Sequence, residues 1–213
     1  FRRVLFRSDT EIRPNVADWE SAGHFPDRVF HRCGELGFLG LHYPERWGGS
    51  GADAVAGVVL IEELARCGAA AVPMAIGVQA DMATPALAEF GTDEQRERWL
   101  RPAIAGTAIG AIAITEPDAG SDVAAIRTRA RRDGDTWRLT GTKMYITNGV
   151  RADFLTVVAK TDPDAGHAGI SLFVVDARLP GVSVSRRLDK LGMRSSDTAE
   201  IVFDDVTLPA SAL

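Results

Sequence analysis

Apolar residues recur every three or four positions through roughly the first hundred residues and alternate with polar ones beyond, so a helical half precedes a strand-forming half. From Pro26, the residues Val29, Phe30, Cys33 and Leu36 share one helical face, with proline placed to open the helix and Gly37 to close it. After the glycine-rich connection PERWGGSGAD, Asp53 is placed to cap a second helix with Val55, Val58, Val59, Ile61 and Leu64 apolar. That helix runs to Cys67, and Gly68 marks its end. A third apolar segment covers residues 72–90, and Thr92 with Gln95 then forms a capping-box pattern opening a helix through Trp99 and Leu100.

After Gly106 the pattern changes. IGAIAIT, IRTRARR, TWRLTGTK, MYIT, DFLTVVAKT, GISLFVVDA, VSVSRRL and TAEIVFDDV are short, rich in β-branched residues and separated by turn formers. Asp133-Gly134 between two alternating segments signals a hairpin. Strands that follow one another without intervening helices predict an antiparallel pattern. The expected fold is multidomain α and β: an amino-terminal all-α helical bundle over residues 1–107, then an antiparallel β-barrel or sandwich domain over residues 108–213.

Composition narrows the function without naming it. A net charge of -5 argues against a nucleic-acid binder, whose footprint is a basic face. Two local basic runs stand out, Arg127, Arg129, Arg131 and Arg132, then Arg186, Arg187, Lys190 and Arg194; each reads as a solvated face or as a landing site for a phosphorylated ligand. Cys33 and Cys67 form no Cys-x-x-Cys pattern and fit a reducing cytoplasm, and four scattered histidines give no metal-ligand spacing. No apolar run reaches the roughly 20 residues of a membrane span. The opening FRRVLFRS, residues 1–8, is set aside as a truncation or a non-native scar. Gly48, Gly49 and Gly51 have neither the spacing of a dinucleotide fingerprint nor a following Gly-Lys-Ser/Thr.

Three stretches carry chemistry. ITEPDAGSDV leaves a strand and packs Pro117, Gly120, Thr115, Ser121 and two acids into a tight turn. It reads either as an anion-holding nest or as a strand-end turn capped by Asp118 and Asp122. In GTKMYITNG, strict alternation puts Tyr145 and Thr147 on one strand face and Ile146 on the other, a plane and a hydroxyl suited to a flat heteroaromatic ligand or to an ordinary half-buried strand. LDKLGMRSSDTAEIVFDDVTLP joins a basic, hydroxyl-rich turn to a last alternating strand, and reads equally as a hairpin.

In this order, TEPDAGSD, YITNG and KLGMRSSDTAEIVFDDV resemble signature segments of the acyl-CoA dehydrogenase family. PERWGGSGAD and GTDEQRERWLRPAIAG resemble its helical domain, so the likeness runs from about Pro26 to Leu213. The resemblance implies the family's amino-terminal helical and middle β domains, with the carboxy-terminal domain lying beyond Leu213. It implies an FAD contacted by Ile112, Ala113, Ile114, Thr115, Gly120 and Ser121 and by Tyr145, Ile146 and Thr147. Thr115 would bond the ring's pyrimidine edge, Thr147 would reach N5, and Ser121 would also border the substrate thioester. Tyr145 departs from the family's frequent tryptophan.

The implied activity belongs to fatty acid metabolism: a glutamate takes the α-proton of an acyl-CoA, the β-hydride passes to flavin N5, and a trans-2-enoyl-CoA results. That glutamate comes from the carboxy-terminal domain in the family, so no catalytic base is expected in this chain, which alone should be inactive; Glu116 is expected to be a structural acceptor. An electron-transfer flavoprotein as acceptor, a homodimer or homotetramer and a cytoplasmic location complete the expectation, with no metal, nucleic acid or membrane partner. An acyl-CoA oxidase or flavin monooxygenase-like member of the same architecture, and a non-catalytic binding module, are the competing readings.

Overall fold

The computed structural model describes residues 8–213, so seven of the eight opening residues set aside above lie outside the described residues. The chain divides into two compact units, one running to Ile109 and including Asp189–Asp197, the other comprising Gly110–Leu188 and Thr198–Leu213.

In the first unit, short turns at Ser8–Ile12 and Arg13–Asn15 lead into α1 (Val16–Ala22), followed by α2 (Arg28–Glu35), α3 (Ala54–Ala65), α4 (Ala71–Gly77) and α5 (Pro85–Phe90). A last helical run is made of α6 (Asp93–Gln95), a π-helical stretch Arg96–Leu100 and α7 (Arg101–Ile104). Side-chain caps set two of these helix starts. The Asp53 carboxylate accepts from the Ala56 amide at 3.0 Å and starts α3. At α6, Gln95 N donates to Thr92 Oγ1 at 3.2 Å while Thr92 N donates to Gln95 Oε1 at 2.8 Å, a complete capping box. The apolar run 72–90 is broken into α4, a π-helical turn Val78–Ala83 and α5, with Pro85 at the start of α5.

The core of this unit centres on Trp19, Phe25 and Phe30, with ring centroids 6.1 and 5.7 Å apart along the series. Of the apolar residues of α3, Leu60 and Leu64 are buried, while Val55, Val58 and Ile61 are exposed. A helix that is apolar nearly all round does not announce which side packs.

The second unit is one seven-stranded sheet: β1 (Gly110–Ala113), β2 (Arg129–Asp133), β3 (Thr136–Thr147), β4 (Phe154–Lys160), β5 (Ile170–Asp176), β6 (Val182–Arg187) and β7 (Thr198–Pro209). The order is β1-β4-β2-β3-β7-β6, with β5 on the other side of β4. The sheet is mixed rather than purely antiparallel, because β1 runs parallel to β4 from Gly110↔Phe154, and β2 meets β4 in parallel at Arg129↔Lys160. β1 and β2 thus lie end to end along one side of β4, and residues 114–128 leave the sheet between them. The hairpin between β2 and β3 closes at Asp133↔Thr136, so its two-residue loop is Gly134-Asp135. Gly134, at φ +57°, takes the left-handed first position that such loops favour in glycine.

The sheet's core gathers Trp137, Leu139, Ile146, Leu155, Val157, Phe173, Ile201, Phe203 and Leu208. No helix among the described residues is long and apolar enough to cross a membrane, and no group of three possible metal ligands occurs among them.

Candidate functional site

The segment 114–128 is built to project a short polar loop from the middle of a sheet. Where β1 ends, Glu116 N donates to Ala119 O at 2.8 Å and Ala119 N returns to Glu116 O at 3.2 Å, closing the turn around Pro117 and Asp118. Asp122 Oδ1 accepts from Ala124 N at 3.0 Å and caps the short helix Val123–Ala125, as the self-capping reading expects. Asp118 does not cap; its carboxylate pairs with Arg127 at 3.1 Å.

A buried ion pair braces this loop against β3. Lys143 is fully buried, and its Nζ lies 2.9 Å from Glu116 Oε1 and donates to Ile114 O at 2.8 Å. Glu116 also accepts from Arg127 N at 2.5 Å and from Thr128 N at 3.0 Å. Next in sequence, Met144 N donates to Thr115 O at 2.8 Å. Gly141 lets the strands come this close: a Cβ there would stand 2.3 Å from Thr128 Oγ1 and 2.7 Å from its Cα. Glu116 is therefore a structural acceptor in this geometry, with all of its charge directed at positioning.

Burial raises the proton affinity of Glu116, but the Lys143 ammonium and the N–H donors outweigh it and hold the carboxyl below its usual value. Burial lowers Lys143, and Glu116 offsets part of that. A depressed glutamate stabilises the folded state above its ordinary pKa of 4.5 and loses that contribution as pH falls through the folded value. The β domain should accordingly weaken on acidification below pH 4.5, and Glu116→Gln should flatten that part of the profile; chemical denaturation at stepped pH reads both.

The alternation expected in GTKMYITNG is interrupted. Between Lys143↔Ile201 and Ile146↔Ala199 the β3–β7 register slips, and Tyr145 takes φ +62°. Lys143 and Ile146 are both buried although three residues apart, and Tyr145 is left 64% exposed. A β-bulge with a non-glycine residue in the left-handed region is a strained arrangement that re-aims a side chain.

Of the nine residues expected to face a cofactor, Ala113 and Ile146 belong to the hydrophobic core, so only their backbone is left to meet a ligand. Ile112, Ile114, Thr115 and Thr147 are half-buried, and Gly120, Ser121 and Tyr145 are exposed. The Met144–Thr115 and Lys143–Ile114 bonds bring the β1 end and the 143–147 stretch together. Among the described residues, the hydroxyls of Thr115, Ser121, Tyr145 and Thr147 make no internal hydrogen bond. An apolar shelf with unspent hydroxyls and an exposed aromatic ring suits a flat, partly polar cofactor.

The third stretch divides. Its strand part is β7, whereas Asp189–Asp197 belongs to the first unit. There Glu20 of α1 accepts from Arg194 N at 2.8 Å, Ser195 N at 3.2 Å and the Ser195 hydroxyl, and Phe25 N donates to Ser195 O at 3.2 Å. Glu20 and Lys143 were missed in sequence. Nothing local marks Glu20. Lys143 did carry a signal: it follows Trp137, Leu139 and Gly141 at even spacing on the buried side of β3, and a lysine so placed needs a buried acid.

Residues 7–107 match the family model for the acyl-CoA dehydrogenase N-terminal domain and residues 111–206 that for the middle domain. The chain is 42% identical over 205 residues to the mouse mitochondrial long-chain specific acyl-CoA dehydrogenase, covering 95% of this chain and 47% of that protein. A probable acyl-CoA dehydrogenase from Mycobacterium abscessus superposes with a TM-score of 0.95 at 44% identity, over 100% of this chain and 56% of its own. A glutaryl-CoA dehydrogenase from Mycobacterium smegmatis, solved in complex with FADH2, gives a TM-score of 0.91 at 40% identity, over 98% of this chain and 52% of its own. The chain spans about half the length of the curated relatives it matches.

Proposed function

The chain belongs to the acyl-CoA dehydrogenase family, and we propose from this that it forms the flavin-facing part of an enzyme that oxidises acyl-CoA thioesters to trans-2-enoyl-CoA. The observation that carries the reading is the shelf of Ile112, Ile114, Thr115, Tyr145 and Thr147, whose hydroxyls are uncommitted and whose backbone is braced by a buried ion pair. FAD held there supplies the hydride acceptor. The isoleucine side chains and the Tyr145 ring cover an apolar face, and Thr115 and Thr147 donate to polar edges. Gly120 leaves the loop open beside Ser121, whose exposed hydroxyl would border the substrate thioester. Glu116 does not act as the base, since both its oxygens are engaged, and the residue that takes the α-proton lies outside residues 8–213.

Two buried free thiols, Cys33 with its pKa pushed up to about 12 by burial and Cys67, support a reducing, cytoplasmic setting. An electron-transfer flavoprotein as electron acceptor and a homodimeric or homotetrameric assembly complete the proposal.

Expression of the complete reading frame followed by a visible spectrum and anaerobic addition of a saturated acyl-CoA tests it. The expected result is a yellow protein that bleaches. A colourless protein that FAD does not colour would refute the flavin reading and favour a binding module, and rapid reoxidation by oxygen would mark an oxidase. Thr115→Val and Thr147→Val should each lower FAD affinity about 2- to 12-fold, the worth of one neutral hydrogen bond; titration of apoprotein with FAD measures it, and unchanged affinity in both variants counts against the shelf.

A further inference from the structure

A second feature, independent of the flavin reading, lies on the β domain. Arg127, Arg129, Arg131, Arg132 and Arg138 line a depression of about 930 Å3. On β2 the buried Ala130 separates exposed Arg129 and Arg131, which therefore share the outward face. Across the β2–β3 ladder Arg131 stands directly opposite Arg138 and Arg129 opposite Thr140. Like charges directly opposite on adjacent strands are destabilising, so this is a costly way to furnish a solvated surface.

The other guanidiniums have partners. Arg138 is held by the Asp205 carboxylate, with Nε donating to Oδ1 at 2.8 Å, and Asp205 itself adopts a left-handed φ of +49°. Arg127 pairs with Asp118, and Arg132 lies over the Trp137 ring at 5.6 Å and donates to Gly134 O. The Arg129 and Arg131 side chains have neither an ion pair nor a hydrogen bond among the described residues, and the Thr140 hydroxyl is equally uncommitted. The second basic run differs, since Arg186 pairs with Glu200 and Lys190 donates to Ser196 O.

We propose that this depression binds phosphate-bearing small molecules, with Arg129, Arg131 and Thr140 donating to the phosphate oxygens. Guanidinium forks match phosphate oxygens in pairs and offer donors only, so the complementary ligand is an anion of that geometry. The five arginines face only two lining carboxylates, Asp133 and Asp205, in a chain whose net charge is -5. The wall has no apolar side chain suited to an acyl tail. The phosphate is either the nucleotide end of a coenzyme A thioester or a free phosphate or pyrophosphate.

Calorimetric titration of the complete protein with inorganic pyrophosphate and with adenosine 3′,5′-bisphosphate, the phosphorylated end of coenzyme A, tests the site. Wild type should bind at least one of them, more weakly at higher salt. The double variant Arg129→Gln/Arg131→Gln should lose at least about 10-fold in affinity, as expected on removing charge-assisted hydrogen bonds. Its flavin content should be unchanged and its thermal midpoint equal or raised, because the Arg131–Arg138 opposition is relieved. Arg129→Lys/Arg131→Lys should retain part of the binding. A raised KM for acyl-CoA in the glutamine variant assigns the site to the coenzyme's nucleotide end; pyrophosphate binding with KM unchanged assigns it to free phosphates. Absence of binding by folded wild type, equal binding by the glutamine variant, or binding confined to phosphatidylglycerol vesicles overturns the proposal.

Discussion

Lys143→Met should destabilise the β domain by about 3–5 kcal/mol, the usual cost of removing one partner from a buried ion pair. Methionine fills similar volume, so the loss reports the charge left behind: Glu116 would stay buried with two backbone donors and no cation. Glu116→Gln should cost less, because the amide oxygen still accepts from the backbone and Lys143 keeps its bond to Ile114 O. The double variant Glu116→Gln/Lys143→Met should fall short of the sum of the two, since the second change removes the group that the first strands. Denaturant midpoints for the three variants measure the coupling, and additive losses would show that the pair does not act as a unit. Because these residues hold Thr115 and the β1 end, Lys143→Met should also lower FAD occupancy. Glu116→Gln should leave turnover per bound flavin largely intact; a fall of several orders of magnitude would show that Glu116 takes part in the chemistry.

Phe173→Ala carries an effect of the same size for a different reason, about 3–5 kcal/mol from lost burial and the cavity left behind. Phe173 is fully buried in β5 and meets the Trp137 ring edge-on, with centroids 5.4 Å apart and planes at 74°. It sits opposite Val157 on β4, the strand that carries both β1 and the start of β2. Loosening this contact weakens the frame from which the 114–128 loop projects, without touching the loop. Equilibrium unfolding should show the midpoint lowered with the slope unchanged. A loss below about 1 kcal/mol would mean that the neighbouring strands collapse onto the vacated space.

Features set by neighbouring residues were legible in the sequence. The Asp53 cap, the Thr92–Gln95 capping box and the β2–β3 hairpin each depend on groups a few residues apart, and each appears in the structure. Even there the detail shifted by one residue, because positive φ at Gly134 makes Gly134-Asp135 the loop. The acceptor role of Glu116 was legible too, since a carboxylate in a tight turn has backbone donors close by.

Other features depended on residues that the chain brings together from far apart. Hydrophobic periodicity marks β1 and β4 as strands but says nothing of their parallel pairing, which requires two segments some forty residues apart to meet. Strict alternation through Tyr145 failed because β7 imposes a register shift that a single strand cannot reveal. The pairing of Lys143 with Glu116, the capture of Arg194 and Ser195 by Glu20, and the outward turn of Val55, Val58 and Ile61 are likewise products of tertiary packing.

By itself, the sequence determined the division into helical and strand halves, the helix starts at Asp53 and Thr92 and the β2–β3 hairpin, because caps, turns and periodicity act over a few residues. Only the tertiary structure decided the mixed sheet, the bulge that exposes Tyr145, the buried brace under the loop and the placing of unpaired Arg131 opposite Arg138 across β2 and β3. Each of these arises where desolvation and backbone pairing force distant groups to find partners, or leave them without one.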